Sequence, residues 1–175
     1  MCAKIKKIEF NGREYPAFQA EGNASQFAIP FAKHFCKGKG VDVGFHKDEW
    51  KYPGALGADL QDESNEYHAH NLPKGLDYIY SSHCLEHLTD WVATVEYWAS
   101  CLNIGGVLFL YLPHENQEYW LPWNNRKHLH VLSSQKVLEC MRRFGFDNIF
   151  FSDRDLNDSF MIVGEKLREN TAIQR

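Results

Sequence analysis

Two carboxylates and a scatter of histidines are the groups in this 175-residue chain whose types and spacing suit them to chemistry. Asp42 stands in the stretch VDVGFHKDEW, two residues before Gly44, where a short apolar strand gives way to a turn. A glycine just past a strand end lets backbone approach a ligand closely. The acid beside it is a candidate to contact such a ligand. The competing reading is an Asp42 that only accepts backbone hydrogen bonds at a strand end. Asp59 follows at about the spacing that separates a first βα turn from an acid on a ribose, and one carboxylate can accept from both ribose hydroxyls. Its alternative is a cap on a turn or helix. Where further glycines would complete an anion cradle, the chain has His46 and Asp48. No Gly-x-Gly-x-x-Gly follows the strand, which disfavours a nicotinamide oxidoreductase.

A second group of reactive side chains lies in HENQEYWLPWNNRKHLH. It offers His114, Glu115, His128 and His130, with Tyr119, Trp120 and Trp123 able to stack on a sugar or aromatic ring. Asn124, Asn125 and Arg126 add donors. A general base near neutral pKa helps when a hydroxyl must be activated, and His128 or His114 could be that base or a substrate-binding group. The plainer alternative is a surface loop whose aromatics dock it onto the sheet. His128 and His130 would share a face on a strand, and His114 could complete a tri-histidine metal site. No companion His-Glu-x-x-His motif exists, and the sequence is read as holding no metal.

These groups need elements to hold them. KIKKIEF, NG and REYPAF read as a strand, a tight turn and a second extended piece, an N-terminal hairpin. NASQFAIPFAKHF sets Phe27, Phe31, Ala32 and Phe35 at helical spacing, with Asn23 or Ser25 as cap and Pro30 as a kink. Beyond the break at KGKG, VDVGF and ALGADL are short strands, HNLPKG is a loop, and LDYIYSS is a strand rich in aromatic and β-branched residues. Thr89 or Asp90 can cap a helix whose Trp91, Val92, Val95, Trp98, Ala99 and Leu102 share one face. NIGG stops it, and VLFLYLP reads as a strand buried on both faces. The segment from Pro113 to Val131 is long for a connection inside a compact domain. Ser133 caps a last helix with Val137, Leu138 and Met141 inward, ended by Gly145. FDNIFFSD and SFMIVGEK close the chain as two strands. The alternation implies a right-handed parallel α/β sheet.

In this order the segments resemble the class I S-adenosylmethionine-dependent methyltransferases, over roughly residues 38–166. VDVG is similar to the family's first motif, with only Gly44 of its usual glycines. ALGADL is similar to the second strand, whose terminal acid holds the ribose, and HAHNLP to the loop on the adenine side. LDYIYSSHCLEHL is the most specific match, resembling the strand-four segment of the small-molecule branch, where Leu-Glu-His follows the strand. LNIGGVLFLYLPH is similar to the strand-five motif, with Ile104 at the place of a proline. GFDNI and SFMIVGEK resemble the antiparallel strand six and seven pair.

The resemblance implies an α/β, Rossmann-like, mostly parallel seven-stranded sheet with an antiparallel C-terminal strand pair, plus a short N-terminal hairpin. One domain would span residues 1–175, with hairpin and helix in 1–37 and the core in 38–166. The implied cofactor is S-adenosyl-L-methionine, and the implied activity is methyl transfer to a small-molecule or sugar-type acceptor. Cofactor-binding residues would be Asp42, Gly44 and Phe45, then Asp59 and Leu60, then Ala69 and His70 at the adenine edge, and Ser82 and His83 at the sulfonium end. His128 or His114 would serve the acceptor. Trp50 could shield the cofactor or simply be core, and His87 is expected to be a packed structural histidine. The alternative is a catalytically inactive module of the same fold, binding a partner through its aromatic loop.

Composition narrows the classes. At 44% hydrophobic and 14% aromatic the chain is too apolar for disorder. A net charge of -4 argues against a nucleic-acid-coating surface. The longest apolar run, Val107 to Pro113, is too short to span a bilayer, and the N-terminus does not read as a signal peptide. Five cysteines without a Cys-x-x-Cys pair read as reduced thiols of a cytoplasmic protein. The expected partners are a small-molecule acceptor and, as one source of the acceptor pocket, a second copy of the chain.

Overall fold

A computed structural model describes residues 6–17, 23–59 and 66–169. Strands β1 (Lys7–Phe10) and β2 (Arg13–Pro16) pair antiparallel, with Phe10 opposite Arg13. Asn11 and Gly12 close the hairpin at φ 50° and 72°, the left-handed pair that the two-residue turn demands.

The main sheet contains β3 (Gly40–Val43), β4 (Leu56–Ala58), β5 (Leu76–Ser82), β6 (Leu102–Pro113), β7 (Phe146–Phe151) and β8 (Ser159–Lys166). Their order is β4-β3-β5-β6-β8-β7. The β3–β4, β3–β5 and β5–β6 pairs are parallel, whereas β8 runs antiparallel to both β6 and β7. The described residues give six strands where seven were expected. Outside β4, the place of the seventh is held by one parallel bridge between Ala58 and Tyr67. The chain curls back immediately, with Asn71 N–H donating to His68 O at 2.9 Å, so no ladder extends from the bridge.

Side-chain alternation divides the core in two. On one face Val41, Val43, Ile79, Leu108 and Leu110 pack with Val95 and Trp98 of α2 (Trp91–Cys101) and Leu138 and Met141 of α3 (Ser134–Arg143). On the other, Tyr78, Tyr80, Phe109 and Tyr111 form an aromatic layer beneath α1 (Ser25–Phe35). Those rings fill the space, so α1 must present small residues. Ala24, Ala28 and Ala32, four residues apart, are its buried stripe. The expected phenylalanine face is therefore corrected: Phe31 and Phe35 are exposed. The expected cap also differs. Ala24 stands at the N-cap, and the Ser25 hydroxyl donates to Trp50 O at 3.1 Å instead.

The other two caps form as expected. Asp90 accepts from Ala93 N–H and Ser133 from Lys136 N–H. NIGG does not act as a separate stop. Helix α2 ends at Cys101 and β6 begins at Leu102. The register jumps from Leu76↔Leu102 to Tyr78↔Val107, so the intervening residues bulge outward, tied by Asn103 Nδ2–H to Asp77 Oδ1 at 3.0 Å. Among the described residues, no helix is long and apolar enough to cross a membrane.

Candidate functional site

Strand β3 is the place where the sheet's connections part, β4 lying on one side and β5 on the other. Open α/β sheets bind ligands in the crevice beyond strand ends at such a point. A cleft of about 660 Å³ opens here. Of the sequence-predicted residues it gathers Asp42, Gly44, Phe45, Asp59, Ala69, Ser82, His83 and His128. His70 is exposed and does not line it. Leu60 lies outside the described residues. His114 lines a separate cavity of about 350 Å³ with Glu115, Ser134 and Asp153.

The β3 end is fixed by backbone. Gly44 N–H donates to Ala58 O at 2.8 Å with φ at 85°. A Cβ added there would lie 2.5 Å from Cys84 Cβ, so both the backbone angle and the neighbouring side chain require glycine. His46 supplies the next left-handed residue at φ 60°, where the glycine-rich pattern would place another glycine. Its N–H donates to Asp59 Oδ2 at 2.9 Å, and its exposed ring lies against Trp50. The loop thus turns without filling the crevice.

Asp42 is 1% exposed. Its Oδ2 accepts from Tyr52 N–H at 2.7 Å, while Oδ1 is buried with no hydrogen-bond partner among the described residues. Burial pushes its carboxyl up to about 7, opposed by the Tyr52 N–H and by Lys51. The adenine-side loop is anchored by Trp98 Nε1–H, which donates to Ala69 O at 2.8 Å.

The far wall comes from the turn after β5 and the long connection after β6. Glu86 O accepts from Leu129 N–H and His130 N–H, stitching the two together. Trp120, in the 3₁₀ turn Glu118–Trp120, stacks on His128 with ring centres 4.8 Å apart. Burial, with a smaller contribution from His87, lowers His128 to about 3, so its ring is neutral. His83 sits at φ 50° with Nε2 2.9 Å from Ser159 Oγ, and burial holds its pKa well below the usual range. Tyr119 packs edge-on to Phe10 of the hairpin at 5.3 Å, whereas Trp123 is 73% exposed. Part of the loop therefore docks and part lines the cleft.

The tri-histidine arrangement does not form. His130 Nε2–H donates to Leu88 O, and His114 stands in the other cavity. His128 instead meets His87 edge-to-face at 4.5 Å. Sequence reading gave His87 only a packing role and none to Glu86, because the chain segment that faces them is some forty residues distant.

A family model described as "Methyltransferase domain" matches residues 21–149. No curated protein matches the chain. Among solved structures, a SAM-dependent methyltransferase from Thermotoga maritima superposes with TM-score 0.65 at 15% identity, covering 86% of this chain and 92% of that one. One from Archaeoglobus fulgidus gives 0.59 at 14% identity, covering 85% and 94%. The Haemonchus contortus phosphoethanolamine N-methyltransferase 2, in complex with S-adenosyl-L-methionine, gives 0.57 at 11% identity, covering 82% and 53%.

Proposed function

The chain belongs to the methyltransferase-domain family, and from that premise we propose that it transfers a methyl group from S-adenosylmethionine to a small-molecule or sugar-type acceptor. The observation that carries this reading is the buried, unpartnered Oδ1 of Asp42 beside a cleft of about 660 Å³, a size within the range of small-molecule sites. An acceptor-only oxygen in that position fits an ammonium group, directly or through water, better than it fits nothing.

When bound, S-adenosylmethionine supplies an electrophilic methyl on a sulfonium, an excellent leaving group, so positioning carries much of the catalysis. Asp59, at the end of β4, accepts from the ribose hydroxyls while still holding the His46 N–H. Phe45 and Ala69 cover the nucleoside, and Ser82 and His83 border its sulfonium end. Trp120 and His128 form the acceptor wall. A ring lowered to about 3 is a weak proton acceptor at neutral pH; His128 therefore serves as a neutral hydrogen-bonding group for the acceptor. His114, in the other cavity, has no part in this reading. The open crevice favours an enzyme over an inactive module.

Calorimetry with S-adenosylmethionine and S-adenosylhomocysteine tests the reading. Saturable one-to-one binding is expected; no heat at high protein concentration would overturn it.

A further inference from the structure

Glu86 is an acid that the methyl-transfer reading leaves unused. It is 0% exposed, and neither carboxylate oxygen has a hydrogen-bond partner from another described residue. An ionised carboxylate in that condition costs several kcal/mol. What surrounds it is imidazole. His83 Nδ1 and His87 Nε2 each stand 3.8 Å from Glu86 Oε1. Ligand atoms of Glu86, His87 and His128 all lie within 4.8 Å of one another.

The orientation of these rings is set from behind. His87 Nδ1 is 2.7 Å from Lys127 O. A carbonyl only accepts, so Nδ1 donates to it and Nε2 is the ring nitrogen turned toward Glu86. His83 Nε2 is engaged by the Ser159 hydroxyl at 2.9 Å, so Nδ1 is the ring nitrogen that faces the same carboxylate. Two ring nitrogens therefore converge on one carboxylate oxygen. The 3.8 Å separations are too long for hydrogen bonds. They suit two donors on one ion, which at about 2.0–2.2 Å each stand roughly 3–4 Å apart. A histidine whose second nitrogen donates to a backbone carbonyl is the usual outer-shell arrangement of a metal ligand.

We propose that Glu86, His87 and His128 bind one divalent transition ion of the zinc type. Imidazole-rich sets with a single carboxylate select such ions over magnesium or calcium. His83, His87 and His128 line the cleft and Glu86 does not, so the carboxylate backs the ion and the open side faces the acceptor. An acceptor oxygen can complete the coordination there, a point that rests on the methyltransferase reading.

The test uses full-length protein stripped with chelator and titrated with Zn²⁺ by calorimetry, and with Co²⁺ by visible absorption. One ion per chain is expected, with tetrahedral-type Co²⁺ bands. His87→Ala and the near-isosteric Glu86→Gln, each removing a direct ligand, should weaken binding by at least the roughly 10–100-fold that loss of an outer-shell partner costs, with circular dichroism unchanged. No uptake by wild type, or equal uptake by wild type and Glu86→Gln, overturns the site. In either case Glu86 is a buried protonated acid, and Glu86→Gln leaves Tm unchanged or raised. S-adenosylhomocysteine titrated into the same preparations keeps the two readings apart. Its binding without zinc binding overturns the metal site alone; zinc binding without it overturns the methyltransferase reading alone.

Discussion

The two walls of the cleft are held by different forces. On the β4 side, Asp42, Gly44 and Asp59 sit at or beside strand ends, locked by backbone: Gly44 to Ala58, His46 to Asp59, Tyr52 to Asp42. On the opposite side, Trp120 and His128 belong to an irregular connection, held by ring stacking and by two backbone hydrogen bonds to Glu86 O. The first wall is fixed by sheet register, where small changes meet backbone. The second is fixed by loop packing, which can vary while the sheet stays intact. A cofactor common to a family belongs on the first kind of wall, and an acceptor particular to one member on the second.

Gly44→Ala tests the rigid wall most harshly. Its left-handed φ and the closeness of Cys84 should together remove about 2–5 kcal/mol of stability in urea unfolding. A loss below about 1 kcal/mol would show that this wall has slack. Asp59→Ala should leave Tm nearly unchanged yet weaken S-adenosylhomocysteine binding by about 10–100-fold, the worth of charge-assisted hydrogen bonds. Equal affinity would remove Asp59 from the site.

A subtler probe is pH. The Asp42 carboxyl is raised from 3.8 to about 7 in the fold, so between those values the folded state binds the extra proton. Asp42's own contribution to the stability of the ligand-free protein is then fullest below about pH 4 and is lost as pH rises through 7, while the buried neutral His83 and His128 pull the opposite way. Cofactor affinity runs the other way, rising as the carboxylate forms to meet the ammonium. Asp42→Asn should flatten both trends; unchanged Tm-against-pH curves would contradict the assignment. The smallest effect belongs to Trp123→Ala on the loop wall. At 73% exposure it should shift stability by less than about 0.5 kcal/mol and leave cofactor affinity alone.

Local chemistry made much of this legible. Asn11-Gly12 announced the hairpin, Asp90 and Ser133 announced their helices, and the aromatic and β-branched content of LDYIYSS and the continuous apolar run of VLFLYLP marked two central strands. Helix α1 misled because its burial is decided by the aromatic layer it covers, which lies in β5 and β6. Asp42, Gly44 and Asp59 were readable because strand ends near in sequence are also near in space. The Glu86–His87–His128 cluster was not, since only the folded-back connection brings its parts together. His114 looked equivalent to His128 in sequence, but its N–H bonds to Asp158 O and its side chain borders the other cavity.

The central claim is that the crevice over β3 is shaped for a nucleoside carrying a cationic amino-acid tail. A crystal structure of the protein with S-adenosylhomocysteine tests it most directly. The account predicts the ligand's ammonium within reach of Asp42 Oδ1 and its ribose hydroxyls on Asp59. A ligand seated instead in the cavity beside His114, or a crevice left empty at saturating concentration, would contradict it.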